Sequence, residues 1–215
     1  MWTLAIDTAG ISGGVALGDG ESVFFSELAG RSYSAHLVTA ADGLFRDAGV
    51  LLSKVSLLAV VSGPGSFTGL RVGISVAKAW AETTAPKLVA ISRLALCAAS
   101  VADHDEVRVA LDAGRGELFF GHYRSRGMSM VREELVRKEE LLAASEPDVP
   151  LFVYEEAIAQ ALASLVPSRR EMPTAVDALG LALRLAAEGR FADALTLDAN
   201  YLRRSDAELF SKPKL

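Results

Sequence analysis

Short apolar runs alternate along this chain with longer stretches in which apolar residues return every three or four positions. That alternation predicts a mixed α/β fold. Trp2–Asp7, Gly13–Leu17 and Ser22–Glu27 read as strands joined by short turns carrying Gly10 and Asp19-Gly20. Ala35–Ala48 reads as a helix with Leu37, Ala41, Leu44 and Ala48 facing inward, Ser32 or Ser34 as its cap and Gly49 as its stop. A buried strand at Leu57–Val61, a helix at Thr68–Thr84, a strand at Leu88–Ile91 and a helix at Arg93–Val101 follow. They end in an acidic turn that runs from Asp103 to Glu106.

The pattern then restarts. Val109–Gly114 echoes Leu4–Gly10 as an apolar strand that ends in aspartate and enters a glycine-bearing turn, and Leu118–Tyr123 echoes the return strand. Such an echo is a faint internal repeat. It divides the chain into 1–106 and 107–215, the second part reduced to a short helix at Lys138–Ala144, a strand at Leu151–Val153 and helices at Glu155–Leu165 and Ala175–Ala187.

The segment from Gly63 to Gly73 is the most informative. Gly63, Pro64 and Gly65 suit a tight turn, and Ser66 and Thr68 can cap the helix that opens there. Strand, glycine turn and helix start together make either an anion site or a turn built for close packing. No Gly-Lys-Ser/Thr closes it as a phosphate loop, and the glycine spacing is one residue too long for the dinucleotide fingerprint. Within the helix Gly69, Gly73, Ala77 and Ala81 recur every fourth residue. Two interior glycines cost about 1 kcal/mol each relative to alanine, so something should approach closely enough to offset them. Leu70, Ile74, Val76 and Trp80 leave little polar surface, so the helix is either central in its own core or shared between the core and a partner, and the small size of the chain favours the shared reading.

Charge and cysteine content narrow the function classes. A net charge of −5 over 215 residues argues against tight nucleic-acid binding by this chain alone. Arg169-Arg170 and Arg203, Arg204, Lys212 and Lys214 are its local basic concentrations, each read as solvated surface. The single cysteine, Cys97, leaves no intrachain disulfide and fits a reducing compartment. No basic leader precedes Leu4 and no apolar run is long enough to span a membrane, so a cytoplasmic location is expected.

Four pieces in this order, Leu4-Ala5-Ile6-Asp7-Thr8, Gly63-Pro64-Gly65-Ser66-Phe67-Thr68-Gly69-Leu70-Arg71-Val72-Gly73, Asp112-Ala113 with Gly116-Glu117, and Tyr201-Leu202-Arg203, resemble the TsaB (YeaZ) family of the TsaD-like superfamily. The resemblance covers nearly the whole chain, and the Gly-Pro-Gly-Ser-Phe-Thr-Gly block is its specific part. Gly114 and Asn200 depart from the family's frequent arginine and proline. The resemblance implies an actin-like ATPase (ribonuclease H-like) fold of two related halves. It implies a non-catalytic subunit that pairs with TsaD, alongside the ATPase TsaE, in making threonylcarbamoyladenosine on tRNA. The chain would meet tRNA only through that complex, form a homodimer when alone, and bind no cofactor tightly, with ATP or ADP at a subunit junction. Val38 and Phe45 from the first helix, with Gly69, Leu70, Gly73, Ile74, Val76, Ala77, Trp80 and Ala81 from the second, are the expected partner surface.

Two enzymatic alternatives are weighed by residue type. In kinases of that fold the first aspartate turn handles phosphate, so Asp7 and Thr8 are a vestigial phosphate turn or a self-capped one. Where such kinases place glycines against adenosine, this chain has Glu155-Glu156, whose carboxylates repel phosphate. TsaD-like proteins carry a metal-binding histidine pair where this chain has Arg93 and Cys97, and a guanidinium offers no lone pair. His36, His104 and His122 are scattered. Ser66 sits at a strand–helix corner without the nucleophile-elbow spacing, which disfavours a weak peptidase of the glycoprotease superfamily. No catalytic residue and no metal ligand are therefore assigned.

Overall fold

A computed structural model of the chain describes residues 1–29, 32–101, 103–125, 127–144 and 148–202. The first half runs β1 (Trp2–Asp7), β2 (Ser12–Gly18), β3 (Val23–Ala29), α1 (Tyr33–Asp47), β4 (Val55–Gly63), α2 (Phe67–Thr84), β5 (Lys87–Ser92) and α3 (Arg93–Ser100). Its sheet has the order β3-β2-β1-β4-β5. The first three strands are antiparallel neighbours, while β4 and β5 join β1 in parallel.

The second half repeats this plan with β6 (Glu106–Gly114), β7 (Glu117–Arg124), β8 (Ser129–Arg137), α4 (Lys138–Ala143), β9 (Leu151–Val153), α5 (Glu156–Ala161), β10 (Ser168–Arg169) and α6 (Ala175–Ala187). Its sheet order, β10-β9-β6-β7-β8, is that of the first sheet read from the other edge, with the same strand senses. The internal echo between β1 and β6 is thus a duplicated topology. The reduction lies in β9 and β10, which are three and two residues long.

Burial follows the strand period of two. Leu4 and Ile6 of β1 point to one face, where Leu37, Ala41 and Leu44 of α1 and Ile74 and Ala77 of α2 cover them. Ala5 points to the other face, where Ala178, Leu181, Ala182 and Leu185 of α6 close the core with Leu57, Ala59 and Val61 of β4. Each fully buried leucine there contributes about 1.5–3 kcal/mol. Meanwhile α3 packs its Leu94, Cys97 and Ala98 among Val107, Val109, Leu111, Tyr123 and Phe152 of the second sheet. Each half therefore lends its last helix to the other sheet, and α3 and α6 touch between the two. The other face of the second sheet is closed by α4 and α5 through Leu141, Ile158 and Leu162.

Three local expectations need correction. Helix α1 begins at Tyr33, and its Ser32 N-cap makes no capping bond; the Ser32 hydroxyl donates to the Ala29 carbonyl instead. Strand β8 stands where no strand is expected, because Arg132, Glu133 and Glu134 interrupt any apolar alternation on a largely exposed edge. The two-residue β10 is too short to leave a pattern. Among the described residues no helix is long and apolar enough to cross a membrane.

Candidate functional site

The two motifs far apart in sequence form one structural unit. After β1 the chain turns at Asp7, Thr8, Ala9 and Gly10, and the Ala9 amide donates back to Asp7 Oδ1 at 2.9 Å. This is the self-capped aspartate turn. Thr8 is fully buried, and its hydroxyl donates to the Gly69 carbonyl in the first turn of α2 at 2.7 Å. The Ser66 amide donates to the Ala9 carbonyl at 2.8 Å, and the Tyr33 hydroxyl donates to the Gly10 carbonyl at 3.0 Å.

Glycines make this seat possible. A side chain at Gly65 would overlap the Ala9 carbonyl, one at Gly69 the Thr8 carbonyl, and one at Gly73 the Thr8 hydroxyl. Only Gly63 has a left-handed φ, +115°, and there a Cβ would also crowd the Asn200 carbonyl at 2.9 Å. Gly65 therefore serves close approach and not a special φ. Ser66 caps α2, its hydroxyl accepting from the Gly69 amide at 3.3 Å. Thr68 lies within the first turn of α2 and makes no cap.

These contacts correct the expected partner surface. The stripe Gly69, Gly73 and Ala77 faces inward onto Thr8, Ile6 and Tyr33, and Leu70 and Ile74 are buried in the chain's own core. Phe45 is buried with them, and Ala81 packs against the same cluster. What offsets the two interior glycines is the β1 turn and not a second protein. Val38 on α1, 53% exposed, does reach the surface, and Val76 and Trp80 on α2 are only partly buried.

Beyond the turn, ionisable groups from both halves gather around Arg93. Arg93 opens α3, and its Nη2 lies 3.6 Å from Met172 Sδ. Burial pushes the Asp7 carboxyl above its ordinary range, with the Arg93 charge and the Ala9 amide pulling it back. Burial does the same to Glu155, again opposed by Arg93, and Glu155 Oε2 is buried with no hydrogen-bond partner among the described residues. The Cys97 thiol is pushed up to about 12, chiefly by complete burial. Tyr33 is pushed up to about 12 by burial and by the neighbouring Asp7 charge. A thiol so far from ionising is a poor metal ligand at neutral pH. Among the described residues no three histidine, cysteine, aspartate or glutamate side chains gather as a metal cluster.

A second polar knot ties the halves together. Glu133 on β8 accepts from the Ser92 hydroxyl at the end of β5 and from the Tyr123 hydroxyl on β7, both closely, and from Asn200 Nδ2 at 2.7 Å. Asn200 is itself held to the first sheet, its amide donating to the Ser62 carbonyl at 2.7 Å. Next to it Tyr201 stacks on Phe67 at 5.2 Å, Arg71 lies over Phe67 at 3.7 Å, and Arg71 Nε donates to the Tyr201 hydroxyl at 3.2 Å. The expected Tyr201-Leu202-Arg203 motif thus begins by packing on the glycine-turn helix. Arg203, Arg204, Lys212 and Lys214 lie outside the described residues.

Residues 24–196 match the family model described as TsaD: tRNA N6-adenosine threonylcarbamoyltransferase. The chain belongs to the TsaD family. It is 36% identical over 121 residues to the tRNA threonylcarbamoyladenosine biosynthesis protein TsaB of Haemophilus influenzae, covering 54% of this chain and 51% of that protein. It is 32% identical over 128 residues to the Escherichia coli protein of the same name, covering 58% of this chain and 55% of that one. The chain thus spans about half the length of the curated relatives it matches. A crystal structure of a Pseudomonas aeruginosa protein with similarity to peptidase YEAZ superposes with a TM-score of 0.79 at 27% identity, over 94% of this chain and 99% of that one. A putative N-acetylglucosamine kinase from Porphyromonas gingivalis shares the fold alone, with a TM-score of 0.51 at 8% identity over 87% of this chain and 99% of that one. The fold is the two-half, actin-like α/β fold expected from the sequence.

Against a nucleotide of that fold, the residues of this TsaD-family chain do not fit. Asp7 Oδ1 is engaged by the Ala9 amide, and the Thr8 hydroxyl by Gly69. A Cβ at Gly10 would meet Arg93 Nη2 at 2.9 Å, so the guanidinium lies close against the turn. The half-buried carboxyl of Glu155 adds repulsion at the second half's end of the crevice. Arg93, Glu133, Tyr33 and Tyr123 are the site residues that the sequence left unassigned as a network. Only the aromatic residues gave a signal, by lying in otherwise apolar segments.

Proposed function

We propose that this chain is the non-catalytic partner of TsaD in the formation of threonylcarbamoyladenosine on tRNA. The observation that carries this reading is the crevice. Arg93 and the buried Cys97 stand at the expected metal pair, and Asp7 and Thr8 are consumed by the chain's own backbone. A family member whose reaction centre is occupied by its own side chains contributes through a surface. The names borne by the similar proteins of Haemophilus influenzae and Escherichia coli support the pathway.

The partner surface we assign is the outer face of α1 and α2 around Val38, Val76 and Trp80, which the inward glycine stripe leaves available. TsaE and tRNA join through TsaD, and any ATP or ADP sits at a junction between subunits and not in this chain's crevice. Ser66 does not act as a peptidase nucleophile in this reading, since its hydroxyl serves as the α2 cap.

Co-purification tests this directly. Tagged chain should retain TsaD from the same cell, and Val38→Glu should release it while thermal unfolding of the chain alone stays unchanged. Retention of TsaD by a folded Val38→Glu, Val76→Glu double variant would sink the surface assignment.

A further inference from the structure

The Glu133 knot forms part of the wall of a cavity of about 450 Å³, a size within the range of small-molecule sites. Most of the wall is apolar: Ala90 from β5, Ala95 from α3, Leu181 and Leu185 from α6, and Met128 and Met130 at the start of β8. The polar members are Glu133 with its three donors, Ser92, Tyr123 and Asn200, and Arg190. A cavity so lined buries an apolar body and fixes one polar end of it.

The charge on Glu133 says which polar end fits. Every group bonded to this half-buried carboxylate is neutral, two hydroxyls and one side-chain amide. Tyr123 stays a neutral donor, because burial and the adjacent Glu133 charge both push its hydroxyl above its ordinary range. A carboxylate offers about four acceptor positions. Ser92 and Tyr123 fill the two on Oε1 and Asn200 takes one on Oε2, which leaves a single position open.

Among the described residues no basic side chain pairs with Glu133. Arg190, the cation that lines the same cavity, is engaged elsewhere. Its Nη1 donates to the Met128 carbonyl at 2.7 Å and lies 3.7 Å from Glu188 Oε2, and its side chain is 51% exposed. A carboxylate partly withdrawn from water without a counter-charge is costly, and an entering cation relieves that cost. A metal ion would need several oxygen or nitrogen ligands, whereas the rest of this wall is alkyl and thioether. An ammonium needs one acceptor, and its alkyl chain packs well on leucines and on polarisable methionine sulfurs.

We propose that this cavity binds an organic ammonium with an apolar chain. The N–H group donates to Glu133 Oε2, and the chain lies on Leu181, Leu185, Met128 and Met130. The site is separate from the α1 and α2 surface assigned to TsaD, and neither reading depends on the other.

Calorimetric titration of the full chain with hexylammonium at neutral pH, beside hexanol as its neutral counterpart, tests this. Hexylammonium should bind, with hexanol weaker by about tenfold or more. Amide resonances of Ser92, Tyr123, Met130 and Leu185 should shift on titration. Glu133→Gln, which keeps an acceptor for its donors and removes the charge, should bring hexylammonium down to the level of hexanol. The comparison of the two probes is made on the native chain, so it decides the matter even where the variant does not fold. Failure of hexylammonium to bind up to its solubility limit, equal binding by hexanol, or shifts confined to other surfaces overturns the proposal.

Discussion

The Thr8 hydroxyl donates to the Gly69 carbonyl at 2.7 Å, across 61 residues of sequence. That bond fixes the α2 N-terminus on the end of β1, and the surrounding glycines let the two backbones meet. It also determines what substitutions in the glycine stripe report. Gly73→Leu should unfold or grossly destabilise the isolated chain, because the new side chain overlaps the Thr8 hydroxyl; overpacking of this kind costs about 1–3 kcal/mol or more. Thr8→Val, which keeps the shape and loses the bond, should cost about 1 kcal/mol. Chemical denaturation followed by circular dichroism separates the two. A stable Gly73→Leu would mean the stripe faces outward after all.

Arg93 should matter to stability through charge. Burial raises the folded-state carboxyls of Asp7 and Glu155, so each destabilises the fold as pH rises from the unfolded value through the raised one. Arg93 opposes both shifts. Arg93→Met should therefore raise both folded-state values further and lose more stability at pH 7 than at pH 4. Asp7→Asn, which keeps the acceptor for the Ala9 amide without the charge, should flatten the pH dependence above pH 4. Melting temperatures of the three proteins across that range check this. An equal loss for Arg93→Met at both pH values would contradict the account.

Cys97 should be silent toward thiol reagents in the folded chain. Its thiol is fully buried and pushed up to about 12, so almost no thiolate exists at pH 8. Reaction with a disulfide reagent should follow global unfolding, with one thiol appearing in denaturant. Rapid labelling under native conditions would show an open α3 and undercut the packed crevice.

Most of the fold is legible in the sequence because its central strands are buried on both faces and its helices are strongly periodic. Strand β9 and helix α6 match their expected spans, and β1 matches end to end. Strand β8 is not legible, since an edge strand carrying Arg132, Glu133 and Glu134 owes its place to pairing with β7 and not to its own pattern. The glycine stripe was legible as a close approach but not as an inward one. Only the folded position of Thr8 decides which backbone comes near. The exchange of α3 and α6 between the sheets is likewise a property of topology, invisible to local periodicity. Glu133 carries no local signal of its role, because its three donors come from β5, β7 and the segment after α6.

The Glu133 knot predicts how the segment after α6 is held. Glu133→Ala leaves the hydroxyl of the buried Tyr123 and the Asn200 side-chain amide without this acceptor, at a cost of about 1–3 kcal/mol. Hydrogen exchange should accelerate at Asn200 and Tyr201 and along β8, while β1 and β4 keep their protection. Unchanged exchange at Asn200 would show that its backbone bond to Ser62 suffices.

The most direct test is reconstituted tRNA modification with TsaD, TsaE, ATP, tRNA and threonylcarbamoyl-adenylate, with and without this chain. The account predicts no threonylcarbamoyladenosine from this chain alone and a strong rise when it is added to TsaD. Asp7→Asn should retain that rise and Val38→Glu should lose it. Product formed by the chain without TsaD, or a rise abolished by a folded Asp7→Asn and kept by Val38→Glu, would place chemistry in the crevice and contradict the partner role.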